Sequence, residues 1–385
     1  MKDQLSPHYP LTPVSWAFLI LAAAFLTLGS MAQSANFELG VLFTEYGLLV
    51  IPLVLIGLVF KVDLKKALRF NPIPVRIGLK IFGASLLMIP GVAFLNVTVI
   101  AILMMTVHFI PQTIPEASAG TGFLVSFFVM AITPGICEEL FFRGMVMNAL
   151  EGRFGYRFAA VLSAVLFGLF HFNLANLVGP IFLGLLFGWL VQVTDSIYAG
   201  MIGHAVNNGF AVTISYLMTR GQEISMETGM DLTELFLENK DMLIASLAGA
   251  AGVLFVVAVP MVAFGLMIYR SIRQEYLKPG DILKISGQQF VVTGRPLAQK
   301  GGGAALAWLY PYDQVPTVEH YEDAISLVDL KAVRSERQVR LSNRHWVKGE
   351  RPKMKLRESL PLWSGAVLYV AIGVYLILMF RGILS

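Results

Sequence analysis

Three short motifs carry side chains whose types and spacing could do chemistry. The first is Cys137-Glu138-Glu139-Leu140-Phe141-Phe142-Arg143. Glu139 and Arg143 stand four apart, share a helix face and can pair. Glu138 is turned about 100° from Glu139 and can address a different neighbour. Two adjacent carboxylates with one arginine leave one carboxylate poorly compensated, and partial burial would tune it toward general-base duty. The alternative is an interfacial charge cluster that merely ends a helix. The second motif is Phe167-Gly168-Leu169-Phe170-His171-Phe172-Asn173, which puts Phe167 and His171 on one face. A lone histidine in an apolar helix is either a functional group or an interhelical hydrogen bonder. The third is Gly203-His204-Ala205-Val206-Asn207-Asn208-Gly209. His204 and Asn208 lie one turn apart, and two donors aimed at one point could stabilise an oxyanion. Helix–helix packing is the competing role, with Gly203 and Gly209 allowing close approach.

The elements that must hold these residues are membrane helices. The 385-residue chain is 56% hydrophobic and only 14% charged, against roughly 25% charged in soluble domains. A bilayer offers the backbone no water, so apolar runs of about 20 residues are expected to be helices. Such runs begin at Val14, Leu39, Ile81, Thr121, Phe158, Leu177, Ser196, Met242 and Ser359. The expected fold class is therefore an all-α polytopic membrane protein of about eight to nine transmembrane helices, with a small, mainly β cytoplasmic domain inserted before the last. Asn173-Leu174-Ala175-Asn176 with Gly179-Pro180 is the expected turn between the fifth and sixth spans. The expected division is a helix pair over 1–70, a core over 75–220, an external acidic loop and eighth helix over 221–270, the β domain over 271–358, and a final helix over 359–385. The core is expected to hold every intramembrane ionisable residue of interest. In the β domain, Asp281–Ile285 and Gln289–Thr293 alternate with period two around Ser286-Gly287 and predict a hairpin. Lys300-Gly301-Gly302-Gly303 predicts a loop.

Charge placement orients this path. All but Arg220, Lys240 and Arg381 of the 29 Lys and Arg residues fall on one side of a nine-span trace, with Arg143 counted in the loop after span four. The positive-inside rule then makes the N-terminus cytoplasmic. The setting is a multi-pass protein of the cell membrane. Lys2, the apolar run Trp16–Leu28 and Ser30-Met31-Ala32 look somewhat like a signal peptide, but a retained anchor fits better, since the run is long and Asp3 offsets Lys2. The net charge of +4 reflects anionic lipid near the surface rather than nucleic acid. Cys137 is the sole cysteine, which rules out an intramolecular disulfide and a cysteine-based zinc site. No His-Glu-x-x-His occurs, no Gly-x-Ser-Gly lies in a span, and Asp195 has no second intramembrane aspartate for a dyad. On this reading Glu138 lies near the cytoplasmic end of span four, and His204 sits about 13 Å beyond Asp195. His171 would be about 20 Å from Phe158 at 1.5 Å per residue, which calls for a tilted or later-starting helix.

Glu-Glu-x-x-x-Arg, Phe-x-x-x-His and His-x-x-x-Asn, in this order on successive spans, resemble the CPBP family of CAAX-type proteases and bacteriocin-processing enzymes. The resemblance covers roughly residues 75–220. It implies an intramembrane endopeptidase acting on a peptide or protein substrate near the cytoplasmic face. Glu138 and His171 would activate a water, His204 and Asn208 would hold the oxyanion, and Glu139, Arg143 and Phe167 would support the site. Metal-free chemistry is favoured, although Glu138, His171 and His204 are the set that could hold zinc. A non-catalytic immunity or scaffold protein of the same fold, binding a protein partner through 271–358, is the alternative. A proton-coupled transporter is a third reading, weakened by the lack of repeat symmetry.

Overall fold

Asn36 divides the first apolar stretch in two. Its extended backbone ends helix α1 (Leu11–Ala35), and its side chain accepts from the Leu39 amide at 2.9 Å, capping α2 (Phe37–Val59). The computed structural model describes residues 6–107, 122–227, 240–276, 282–285, 288–292, 306–311, 326–329, 340–342 and 361. After α2 come a single turn, α3 (Leu64–Ala67), and the long α4 (Val75–Val107). Then follow α5 (Phe123–Phe154), α6 (Tyr156–Leu169), α7 (Val178–Thr194), α8 (Ile197–Glu227) and α9 (Lys240–Glu275).

The described residues are mostly helical, and among them five helices are long and apolar enough to cross a membrane by length and composition: α1, α2, and the stretches Val75–Thr106, Phe123–Phe154 and Leu243–Arg273. This is fewer than the eight to nine expected, for physical reasons. The runs from Phe158 and Leu177 become helices of only 14 and 17 residues, about 21 and 26 Å long, short of a hydrocarbon core of about 30 Å. Helix α8 has the length, with 31 residues, but carries His204, Asn207 and Asn208 in its first half. The run from Ser359 lies, apart from Pro361, outside the described residues.

The chain divides into two compact units, the second running from Tyr269 to Arg351. In the second unit β1 (Ile282–Ile285), β2 (Gln288–Val292), β3 (Leu306–Pro311), β4 (Ser326–Asp329) and β5 (Arg340–Ser342) pair antiparallel in the order β4-β3-β2-β1-β5. Ile285 pairs with Gln288 across the β1–β2 connection. The expected Lys300–Gly303 loop lies outside the described residues.

In the helical unit, α1 and α2 pack on α5 and α6 through a phenylalanine cluster. Phe142 lies 6.5 Å from Phe18, 5.1 Å from Phe167 and 5.5 Å from Phe170, ring centre to ring centre. The edge-on geometry of these rings suits their quadrupoles. The segment before α1 is fastened to the same core, since the Tyr9 amide donates to Asn148 Oδ1 at 2.8 Å. At the cation-rich end Arg69 bridges the turns through Glu151 and, at 3.4 Å, Asp195. Asp195 itself takes a left-handed backbone between α7 and α8.

Candidate active site

Helix α5 changes winding around the first motif. π-helical turns at Phe128–Ile132 and Leu140–Val146 flank the α-helical Thr133–Glu139, and such wide turns concentrate at functional sites because they re-aim side chains. Glu139 and Arg143 point into the protein and are fully buried. Arg143 Nη1 donates to Glu139 Oε1 at 2.7 Å, and its guanidinium lies 4.4 Å from the Phe167 ring centre and 5.6 Å from that of Phe187. The aromatic faces thus cover a cation held by one carboxylate. His204, on α8, donates from Nδ1 to the same Glu139 Oε1 at 3.0 Å, and its ring stacks on Phe187 at 5.4 Å. Gly200 makes room for this group: a Cβ there would stand 2.5 Å from Glu139 Oε2.

Glu138 takes the other direction. It is partly exposed and lines a cavity of about 330 Å³ with Glu45, His171, Phe142, Phe170, Ser30 and Gln33 among the walls. His204 Nε2 faces Glu138 Oε2 at 3.7 Å, an electrostatic contact rather than a hydrogen bond. His171 follows the end of α6 in a turn, where Nδ1 donates to the Phe167 carbonyl at 2.9 Å. That bond fixes the tautomer and leaves Nε2 with a lone pair. The turn is anchored from α4: Asn96 Nδ2 donates to Asn176 Oδ1 at 3.0 Å, and Asn96 Oδ1 accepts from the Gly179 amide at 3.2 Å. Asn208 stands apart from the cavity lining, donating to the Met130 carbonyl at 3.3 Å while accepting from Asn207 at 3.3 Å.

Several expectations change here. Arg143 belongs to no loop; it is buried within α5, because the helix continues to Phe154. For the same reason Glu138 lies midway along a 32-residue helix, not near the cytoplasmic end of a span. This resolves the depth of His171, since mid-helix Glu138 and the far end of the short α6 fall at one level. Glu45 was missed altogether. It sits in α2, outside the core span 75–220, is 5% exposed, and lines the same cavity as Glu138. The rule that a carboxylate inside an apolar run needs a reason would have flagged it. Among the described residues no group of three His, Cys, Asp or Glu side chains is drawn together as a metal site would require.

A helical membrane protein in which a carboxylate and a histidine line one cavity, with a buried ion pair next to that carboxylate in the chain, is the class that fold and site define. The comparisons with known proteins agree with it. Residues 120–210 match the family described as Type II CAAX prenyl endopeptidase Rce1-like. The chain is also similar to "Putative membrane peptidase YdiL" of Bacillus subtilis (strain 168), 30% identical over 104 residues, which are 27% of this chain and 43% of that protein. The chain thus spans under half the length of this relative. No solved structure matches. Over this segment both comparisons agree with the resemblance that the three motifs carry.

Proposed function

We propose that this chain is a membrane-embedded endopeptidase in which Glu138 is the general base. The observation that carries this reading is that Glu138 and His171, from different helices, line one cavity, while Glu139 takes up Arg143 and the Nδ1 edge of His204. Glu138 accepts a proton from water as the oxygen adds to the scissile carbonyl. His171, with its Nε2 lone pair, holds that water and relays the proton to the departing amine. The tetrahedral oxyanion falls to His204 Nε2, which donates with the ring as an imidazolium held at Nδ1 by Glu139, and to Asn208, whose amide exchanges the Met130 carbonyl for it.

The orientation from the positive-inside rule keeps the N-terminus cytoplasmic, together with the Arg69 end of the bundle. The cavity walls at Ser30 and Gln33 lie beside the Asn36 turn, at the opposite end of α1. On this reading substrate enters from the non-cytoplasmic half and is cleaved near mid-membrane rather than near the cytoplasmic face. The full count of eight to nine spans and the cytoplasmic, mainly β domain over 271–358 remain part of this proposal, as does a CAAX-type preference.

The test is incubation of purified wild-type and Glu138→Gln protein with a peptide library that includes prenylated and unprenylated members, with and without chelator. Wild type should cleave and Glu138→Gln should not; full activity in the variant would overturn the reading. Activity lost to chelator and restored by zinc would assign zinc to Glu138, His171 and His204. The non-catalytic alternative draws on 271–358, and predicts a bound partner retained by Glu138→Gln without proteolysis.

A further inference from the structure

Glu45 has no role in the mechanism above, and it lies outside the segment that matches the family. The π-helical turn Phe43–Val50 turns both Thr44 and Glu45 inward, at 1% and 5% exposure, where an α-helix would separate neighbours by about 100°. Thr44 is fixed in place, its hydroxyl donating to the Val41 carbonyl at 2.9 Å and accepting from Gln33 Nε2 at 3.4 Å. Glu45 thereby lines the cavity beside Glu138. The Oε2 atoms of both carboxyl groups are buried with no protein donor. Each nearby cation is engaged elsewhere: Arg143 pairs with Glu139, and His204 gives Nδ1 to Glu139 and only approaches Glu138 at 3.7 Å. Two neighbouring carboxyl groups, one of them buried, without a shared cation hold one proton between them rather than two charges.

We propose that Glu45 is a positioning residue for Glu138: as a neutral carboxylic acid it donates a hydrogen bond to the Glu138 carboxylate and fixes its orientation toward the cavity. The proposal rests on Glu138 being the general base. An O–H donor on one carboxylate oxygen leaves the other directed at the water, and it localises the charge of the pair on Glu138. Glutamine at position 45 keeps a donor of the same reach, whereas methionine keeps the shape and removes the donor.

The test compares peptide hydrolysis by wild type, Glu45→Gln, Glu45→Met and Glu138→Gln. Glu45→Gln should keep kcat within about threefold. Glu45→Met should lose kcat by about 10- to 100-fold, a fraction of what a general base contributes, with KM within about twofold, as expected for an interaction made in the transition state. Wild-type kcat in Glu45→Met, or a loss in Glu45→Gln as deep as in Glu45→Met, overturns the proposal. Activity in Glu138→Gln instead overturns the protease reading itself, so the two failures are distinct. Should Glu45→Met not fold, the infrared spectrum decides: wild type should show the carbonyl stretch of one protonated carboxyl that Glu45→Gln lacks, and its absence from wild type overturns the proposal.

Discussion

Replacing Arg143 by Met tests whether the buried pair at the centre of the bundle holds this site together. The guanidinium and the Glu139 carboxylate are both fully buried, 2.7 Å apart. At an effective dielectric of about 20 this separation corresponds to an attraction of about 6 kcal/mol, much of it offset by desolvation. Removing Arg143 leaves a carboxylate whose Oε2 already lacks a donor, and stranding a buried charge in this way costs about 3–5 kcal/mol. Glu139→Gln strands Arg143 by the same logic and should cost a similar amount. The double variant buries no net charge, so its loss should fall short of the sum of the two single losses by about 2–3 kcal/mol. Cys137 gives the assay. It is the only cysteine, fully buried and two residues from Glu139, so labelling by a thiol-reactive dye during denaturant or thermal unfolding in detergent reports opening at the site. Additive costs in the double variant would refute the reasoning, because they would mean that the two charges are stabilised by other partners.

Gly200→Ala should destabilise the protein by about 1–3 kcal/mol in the same assay and abolish hydrolysis, because the new Cβ meets Glu139 Oε2 at 2.5 Å. Gly78→Ala, whose Cβ would meet only Ile202 at an ordinary 3.6 Å, should be neutral. Asn96→Ala should free the turn after α6, lowering kcat while leaving the Cys137 unfolding midpoint within about 1 kcal/mol of wild type; unchanged kcat would show that His171 is held by other contacts. In a Cys137→Ser background, Gln33→Cys on intact cells should react with a membrane-impermeant maleimide, and Lys65→Cys only after permeabilisation. The opposite pattern would reverse the orientation proposed for the cavity.

The amino-acid sequence by itself determined the local geometry. Four-residue spacing places Glu139 beside Arg143 and Phe167 beside His171 on any helix, because 3.6 residues complete a turn. Uncharged runs likewise mark which segments are helices, since burying charge is costly. The Asn173–Pro180 turn belongs to the same class. What separates helices in sequence could not be read this way. That Glu139 rather than Glu138 receives His204, that Gly200 admits the carboxylate, and that α5 runs on past Arg143 are results of helix packing. The depth of Glu138 and the place of Glu45 depend on three wide turns that no periodicity announces. Only the tertiary structure brings α2 against α5 and sets a third carboxyl group on Glu138. A single glutamate in an apolar run has no motif, and its meaning comes from the neighbour it meets.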